Sequence, residues 1–170
     1  MKQTGVTRKI DELGRIVIPK EIRKNLGIRD GETLEIFTSD DSIILKKYFE
    51  VRKYEDLSSR LCELIKNIYN VDLVITDREK VITSSNKEIV ENSKLNNKFL
   101  ELIDNREKFI TKELSTKNLG IDISGYFTII PIIASSDSLG LVIIISDNGN
   151  DYSSLGKLLA KIIADKIDIF

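Results

Sequence analysis

Histidine and tryptophan are absent from this sequence, and cysteine and methionine occur once each. The lack of histidine removes the usual general base, the commonest metal ligand and the side chain that ordinarily titrates near neutral pH. One cysteine, Cys62, excludes an intrachain disulfide, and its neighbours Leu61, Leu64 and Ile65 point to packing rather than reactivity. The chain also lacks a Gly-x-x-x-x-Gly-Lys-Ser/Thr phosphate loop and any Cys/His metal cluster. Only carboxylate chemistry would remain, and the Asp and Glu residues are scattered over turns. Catalytic residues, metal sites and cofactors are therefore expected to be none, and the protein is not expected to be an enzyme. No apolar run approaches the roughly 18 residues needed to span a membrane. Met1 to Gly5 does not read as a signal peptide, so a cytoplasmic protein with no membrane partner is expected.

What is present is an ordinary globular composition, 41% apolar and 31% charged over 170 residues, enough for one large or two small domains. The formal charge of -1 is unevenly distributed. Residues 1 to 29 carry eight Lys or Arg against Asp11, Glu12 and Glu21, a net of +5. Residues 30 to 50 carry Lys46 and Lys47 against six carboxylates, a net of -4. A basic face can thus coexist with an acidic isoelectric point.

The basic region is organised around Gly14 to Ile28. Ile16, Val17 and Ile18 are β-branched and favour a strand, and Pro19 ends it while presetting the start of a helix. Ile22 and Leu26 lie four apart on one helical face, and Gly27 is placed to close the helix in the left-handed region. Upstream, Val6 to Ile10 read as a strand and Asp11 to Gly14 as the turn of a hairpin. Downstream, Asp30-Gly31 leads into a strand at 33 to 38, and Ser39 to Ser42 turns it back into a strand at 43 to 48. About fifty residues of this make-up cannot bury much surface alone, and with so little cysteine and no histidine a partner chain is the remaining means of stabilisation.

The string Gly-Arg-Ile-Val-Ile-Pro-Lys-Glu-Ile-Arg from Gly14 to Arg23 resembles the DNA-binding domain of the AbrB-like swapped-hairpin transition-state regulators. The resemblance covers residues 1 to about 50. It implies a β-barrel completed by two chains that exchange hairpins, a homodimer, and double-stranded DNA as partner. Carried over by position, the DNA-binding residues it implies are Arg8, Lys9, Arg15, Arg23 and Lys24; relatives commonly carry Arg where this chain has Lys24. Lys2 and Lys20 are weaker candidates, and Arg29 could equally pair with the acidic strand that follows. Asp11, Glu12 and Glu21 either orient neighbouring arginines or temper binding to polyanions. About eight to ten phosphate contacts per dimer would give a logarithmic salt slope of roughly -7 to -9.

Beyond Val51 the pattern becomes helical, with Tyr54, Leu57, Leu61, Leu64 and Ile68 spaced three and four apart. This helix, at 51 to 70, either covers its own sheet or also pairs with a second copy. Two strands follow at 71 to 77 and 81 to 85, then a polar stretch of loop and helix at 86 to 98, a helix near 99 to 103, a short strand at 109 to 110 and a mobile loop at 112 to 118. Buried strands at 126 to 134 and 139 to 145 flank a turn, with Pro131 suited to an edge, a bulge or a position whose missing donor is harmless. A helix capped by Asp151 or Ser153 runs to Phe170.

This order, with the linking helix packing as the first helix of a domain at 71 to 170, resembles a GAF domain: an antiparallel sheet with flanking helices. Such domains bind small molecules or only dimerise, and the sequence leaves both open. Taken together with the N-terminal match, the architecture is similar to the stage V sporulation protein T regulators. The expected fold class is α+β, and the expected function is a DNA-binding regulator of sporulation or transition-state genes. Its GAF-like domain would support a homotetramer, with small-molecule sensing as an open addition. The alternative is an antitoxin that binds a toxin and its own operator; the folded character of residues 71 to 170 weighs against it.

Overall fold

The structure is a computed structural model describing residues 5–111 and 123–168. Lys2, the loop expected at 112 to 118 and the final residues of the C-terminal helix lie outside the described residues. The chain divides into two compact units, Met1–Tyr48 and Phe49–Phe170.

In the first unit the expected turn at Asp11 to Gly14 forms. The Gly14 N–H donates to the Asp11 carbonyl at 2.9 Å, the Asp11 N–H donates to the Arg15 carbonyl at 3.0 Å, and Gly14 takes a positive φ of 76°. The strands expected on either side of it do not form: residues 6–10 and 15–18 run without a ladder. A strand exists only when a neighbour accepts its N–H groups, and the tip bonds alone do not extend into one. The helix does form, as α1 (Lys20–Leu26), entered from Pro19. Gly27 closes it at φ 64°, with the Ile28 N–H donating to the Arg23 carbonyl at 2.8 Å and the Gly27 N–H to that of Lys24 at 3.2 Å. Lys47 Nζ donates to the Gly27 carbonyl at 3.0 Å, which places a cation at the negative end of this short helix. Strands β1 (Leu34–Ser39) and β2 (Ser42–Lys47) pair antiparallel, from Leu34 opposite Lys47 to Ser39 opposite Ser42. None of the described residues of this unit is buried.

The second unit starts with a 3-10 turn (Glu50–Tyr54) and α2 (Glu55–Tyr69), followed by β3 (Asp72–Thr76), β4 (Val81–Ser84), α3 (Asn97–Asn105), β5 (Phe109–Ile110), β6 (Tyr126–Ala134), β7 (Asp137–Ser146) and α4 (Ser153–Asp168). The sheet is antiparallel, in the order β4-β3-β7-β6-β5. Alternate residues of its central strands supply two cores. Leu73, Ile75, Ile130, Ile132, Val142 and Ile144 pack with α2 and α4, while Val74, Phe127, Ile129, Leu141, Ile143 and Ile145 pack with α3 and its approach. This explains why β6 and β7 read as continuous apolar runs: both faces are covered.

Several local features result from that packing. Ser135 and Ser136 both take positive φ, the two-residue turn that suits a twisted hairpin, so β7 begins at Asp137, earlier than the strand at 139 indicated by the sequence. Pro131 shares the strand parity of Phe127 and Ile129, whose side of the ladder faces β5; β5 ends opposite Ile129, so the missing donor costs no bond. Gly140 is required because a Cβ there would lie 2.0 Å from the Thr76 carbonyl oxygen. Asp77, fully buried, accepts from the N–H groups of Glu79 and Lys80 at 2.6 Å each and pairs with Arg52 of the 3-10 turn. Cys62 is buried, and desolvation pushes its thiol up to about 12, the inert state expected of a packing residue.

The buried face of α2 coincides with only part of the stripe its sequence suggests: Leu61 packs against the core, and Ile65, which widens the stripe, is buried. Ser58, Cys62 and Ile65 are its buried residues, while Leu64 and Ile68 of the expected stripe stay 53% and 68% exposed. On α4 the small residues Gly156, Ala160 and Ala164 are buried and Leu158 is exposed. Small side chains let the helix sit close to the sheet, beside Leu159 and Ile163, which are buried on the same side. At the start of α4, Asp151 Oδ1 accepts from the Ser153 N–H at 2.7 Å and from the Ser153 hydroxyl, so Asp151 is the residue that holds this end.

Candidate nucleic-acid interface

Cations of the first unit stand on three local structures. Arg8 and Lys9 lie on the extended run before the hairpin tip, Arg15 follows the tip, and Arg23 and Lys24 occupy the last turn of α1. Arg8 Nη1 donates to the Thr7 carbonyl at 2.9 Å. Lys20 opens α1, and the Arg29 backbone N–H donates to Glu32 at 2.8 Å. These cations suit a polyanion, and Arg in particular offers a planar fork that matches phosphates and base edges.

Two of these arginines are held by carboxylates. Arg15 Nε donates to Asp11 Oδ2 at 2.8 Å, with the arginine side chain 71% exposed. Asp11 Oδ1 meanwhile accepts from the N–H groups of Leu13 at 3.0 Å and Arg15 at 2.8 Å. Hydrogen bonds from Arg15, first the backbone and then the side chain, hold the Asp11 carboxyl below its usual range. Arg23 Nη1 pairs with Asp30, an acid supplied by the turn after the helix. Sequence reading did not single out these carboxylate partners pair by pair. The i, i+4 spacing of Asp11 and Arg15 was the available signal, but it marks proximity only on a helix, and here a turn provides it.

Large apolar side chains surround the cations without being buried: Ile10, Leu13, Ile16, Val17 and Leu26 are all more than half exposed, as are Ile36 and Ile43 of the sheet. An apolar surface this dense on so few residues is the mark of a face meant to be covered.

In the second unit, α3 and the approach to it line an open cavity of about 400 Å³. Val81, Ile89, Leu95, Phe99, Ile123 and Ile143 make its apolar wall, while Glu88, Ser93, Lys94 and Asn96 are its polar members. Asn96 Oδ1 also accepts from the Phe99 N–H at 3.1 Å and so caps α3. No local sequence pattern marks this lining, because its residues come from four separate segments. Among the described residues, no group of three or more His, Cys, Asp or Glu could hold a metal, and no helix is long and apolar enough to cross a membrane.

Comparison with known proteins places both units. Residues 54–167 match the family described as "Stage V sporulation protein T C-terminal, transcription factor", and residues 7–52 match "Antidote-toxin recognition MazE, bacterial antitoxin". Stage V sporulation protein T of Bacillus subtilis (strain 168) is 36% identical over 152 residues, 86% of this chain and 85% of that protein. Transition state regulatory protein AbrB of the same organism is 60% identical over 48 residues, 28% of this chain and 50% of its own length. Among solved structures, the cofactor binding GAF domain of the nutrient sensor CodY from Clostridium difficile has 14% identity and a TM-score of 0.46, covering 71% of this chain and 92% of its own. The family model over residues 54–167 describes transcription factors, and the 36% identity with stage V sporulation protein T extends over most of the chain. The chain belongs to the stage V sporulation protein T family of transcription factors.

Proposed function

We propose that the protein regulates transcription of sporulation or transition-state genes by binding double-stranded DNA through Arg8, Lys9, Arg15, Arg23 and Lys24 of paired N-terminal units. The observation that carries this is the coincidence, in one unit, of these cations with an apolar surface that a single chain leaves open. A second copy supplying the missing ladder for residues 6–10 and 15–18 would bury that surface and bring two sets of cations onto one duplex. The 60% identity with transition state regulatory protein AbrB over this region supports the regulatory reading.

The exposed Leu64 and Ile68 of α2 and Leu158 of α4 favour a further association of second units, giving a tetramer that links two DNA-binding pairs. The 400 Å³ cavity suits a small ligand with an apolar body and a charged or polar end, because Lys94 and Glu88 stand among its apolar walls. Such a ligand would make the second unit a sensor. An antitoxin reading has the match over residues 7–52 in its favour. It is the weaker reading, because the remainder of the chain is a folded unit with two cores rather than a short extension.

The test is DNA binding by the full chain across salt, with Arg15→Ala and Arg23→Ala. Each variant is expected to weaken binding by about tenfold or more. Parental affinity in both variants would refute the assignment of these residues. Light scattering of the full chain checks the paired and tetrameric states.

A further inference from the structure

Asp11 places a negative charge beside Arg15, on the unit that would meet a polyanion. Judged by charge alone, it subtracts from the attraction that brings DNA in. Its geometry shows a different contribution. One residue fixes Arg15 three times: its backbone N–H donates to the Arg15 carbonyl at 3.0 Å, its Oδ1 accepts the Arg15 N–H at 2.8 Å, and its Oδ2 accepts from Nε at 2.8 Å. The guanidinium is thereby tethered at Nε while Nη1 and Nη2, the end-on fork, are not used in that contact. Two parallel N–H groups are what a bidentate contact to a guanine edge requires. Arg23 offers a contrast, since Asp30 engages its Nη1 and so occupies part of the fork itself.

We infer that Asp11 is a positioning residue that aims the free fork of Arg15 at a base edge, so that Arg15 carries sequence preference while Arg23 and the lysines carry affinity. This rests on the DNA-binding reading above. An arginine ordered before binding gives up less side-chain freedom when it docks, and it docks in fewer wrong orientations. Releasing it should therefore leave the attraction to DNA intact and blur the choice among sequences.

Asp11→Asn separates the two jobs of this side chain. Asparagine keeps an Oδ1 acceptor for the Leu13 and Arg15 N–H groups, but puts an amide donor where Oδ2 accepted from Nε. The full-length parent is first used to enrich duplexes from a random pool. Affinities for an enriched duplex and for a scrambled duplex of equal composition are then measured across salt, for the parent, Asp11→Asn, Arg15→Ala and the double variant. Asp11→Asn is expected to bind the scrambled duplex as well as or better than the parent, while its preference for the enriched duplex falls by about tenfold, the scale of one bidentate contact. In the Arg15→Ala background the same change should not alter the preference. An unchanged preference would overturn the inference and leave Asp11 as a charge alone. Equal weakening on both duplexes would overturn it in favour of a purely structural turn residue. If the parent enriches no duplex, the sequence-selective DNA reading falls, and this inference with it.

Discussion

The two units of this chain treat similar side chains in opposite ways. Ile16, Val17 and Ile36 of the first unit are more than half exposed, whereas Ile75, Ile132 and Ile143 of the second have no exposed surface. Both segments are rich in β-branched residues, and hydrophobicity alone would assign all of them to cores. The difference lies in covering layers. In the second unit each face of β3, β6 and β7 meets a helix of the same chain, while the first unit has one short helix and two short paired strands. An apolar strand becomes core only when something is available to lie on it, and Ile16, Val17 and Ile36 stay exposed because the first unit offers them no covering layer.

Placing Ile16→Asp and Val17→Asp in the same chain is the most severe way to break this comparison. In a lone unit two exposed positions tolerate charge; between paired units one of them must be buried, whichever way the strand faces. DNA binding is expected to fall by about 100-fold or more, as for an unpaired buried charge, while thermal unfolding of the second unit is unchanged. Retained binding, measured by titration, would show that the first unit does not need a partner.

A large but local effect is expected from Ile163→Ala, at a fully buried position of α4. Loss of the side chain and the cavity left behind should cost the second unit about 3 kcal/mol, read from denaturant unfolding of the full chain. DNA affinity at temperatures where the variant remains folded should hold.

The smallest effects are electrostatic and distinguish the units by pH. The Asp151 carboxyl is held below its usual 3.8, mainly by the Ser153 hydroxyl and N–H, just as Arg15 holds that of Asp11. A carboxylate stabilised in the folded state contributes stability above its unfolded pKa, and the contribution is lost as pH falls through the lowered folded value. Lys161, raised from 10.5 by Asp165, contributes below 10.5 and loses its contribution as pH rises past the raised value. Asp151→Asn should therefore narrow the midpoint difference between pH 6 and pH 3 slightly, in a thermal scan of the second unit. An unchanged pH profile would remove Asp151 from the account.

Much of the local structure was legible in the residues. Pro19 and Gly27 bracket α1 because one presets φ and the other tolerates the left-handed region, and the runs at β6 and β7 read as buried strands. The cationic residues of the first unit were also legible, since their identity and their setting in the Gly14 to Arg23 string are matters of sequence. Less legible was which face of a helix is buried. Of the α2 stripe, Leu61 packs against the core while Leu64 and Ile68 stay exposed, and Ser58, Cys62 and Ile65 are the buried residues. Periodicity locates an apolar stripe but does not say whether this chain or another covers it.

Asp11, Arg15 and Arg23 mark the same boundary at the candidate site. The sequence determined the charges, the turn at Gly14 and the short reach between Asp11 and Arg15, because these depend on chemistry a few residues long. Only the tertiary structure decided the sheet order β4-β3-β7-β6-β5, the meeting of Arg52 with buried Asp77, the cavity under α3, and which nitrogen of each arginine its carboxylate takes. Each of those depends on segments brought together from a distance or on the orientation of a long side chain. Local preference fixes neither, because many pairings and rotamers share nearly the same local energy until packing selects one.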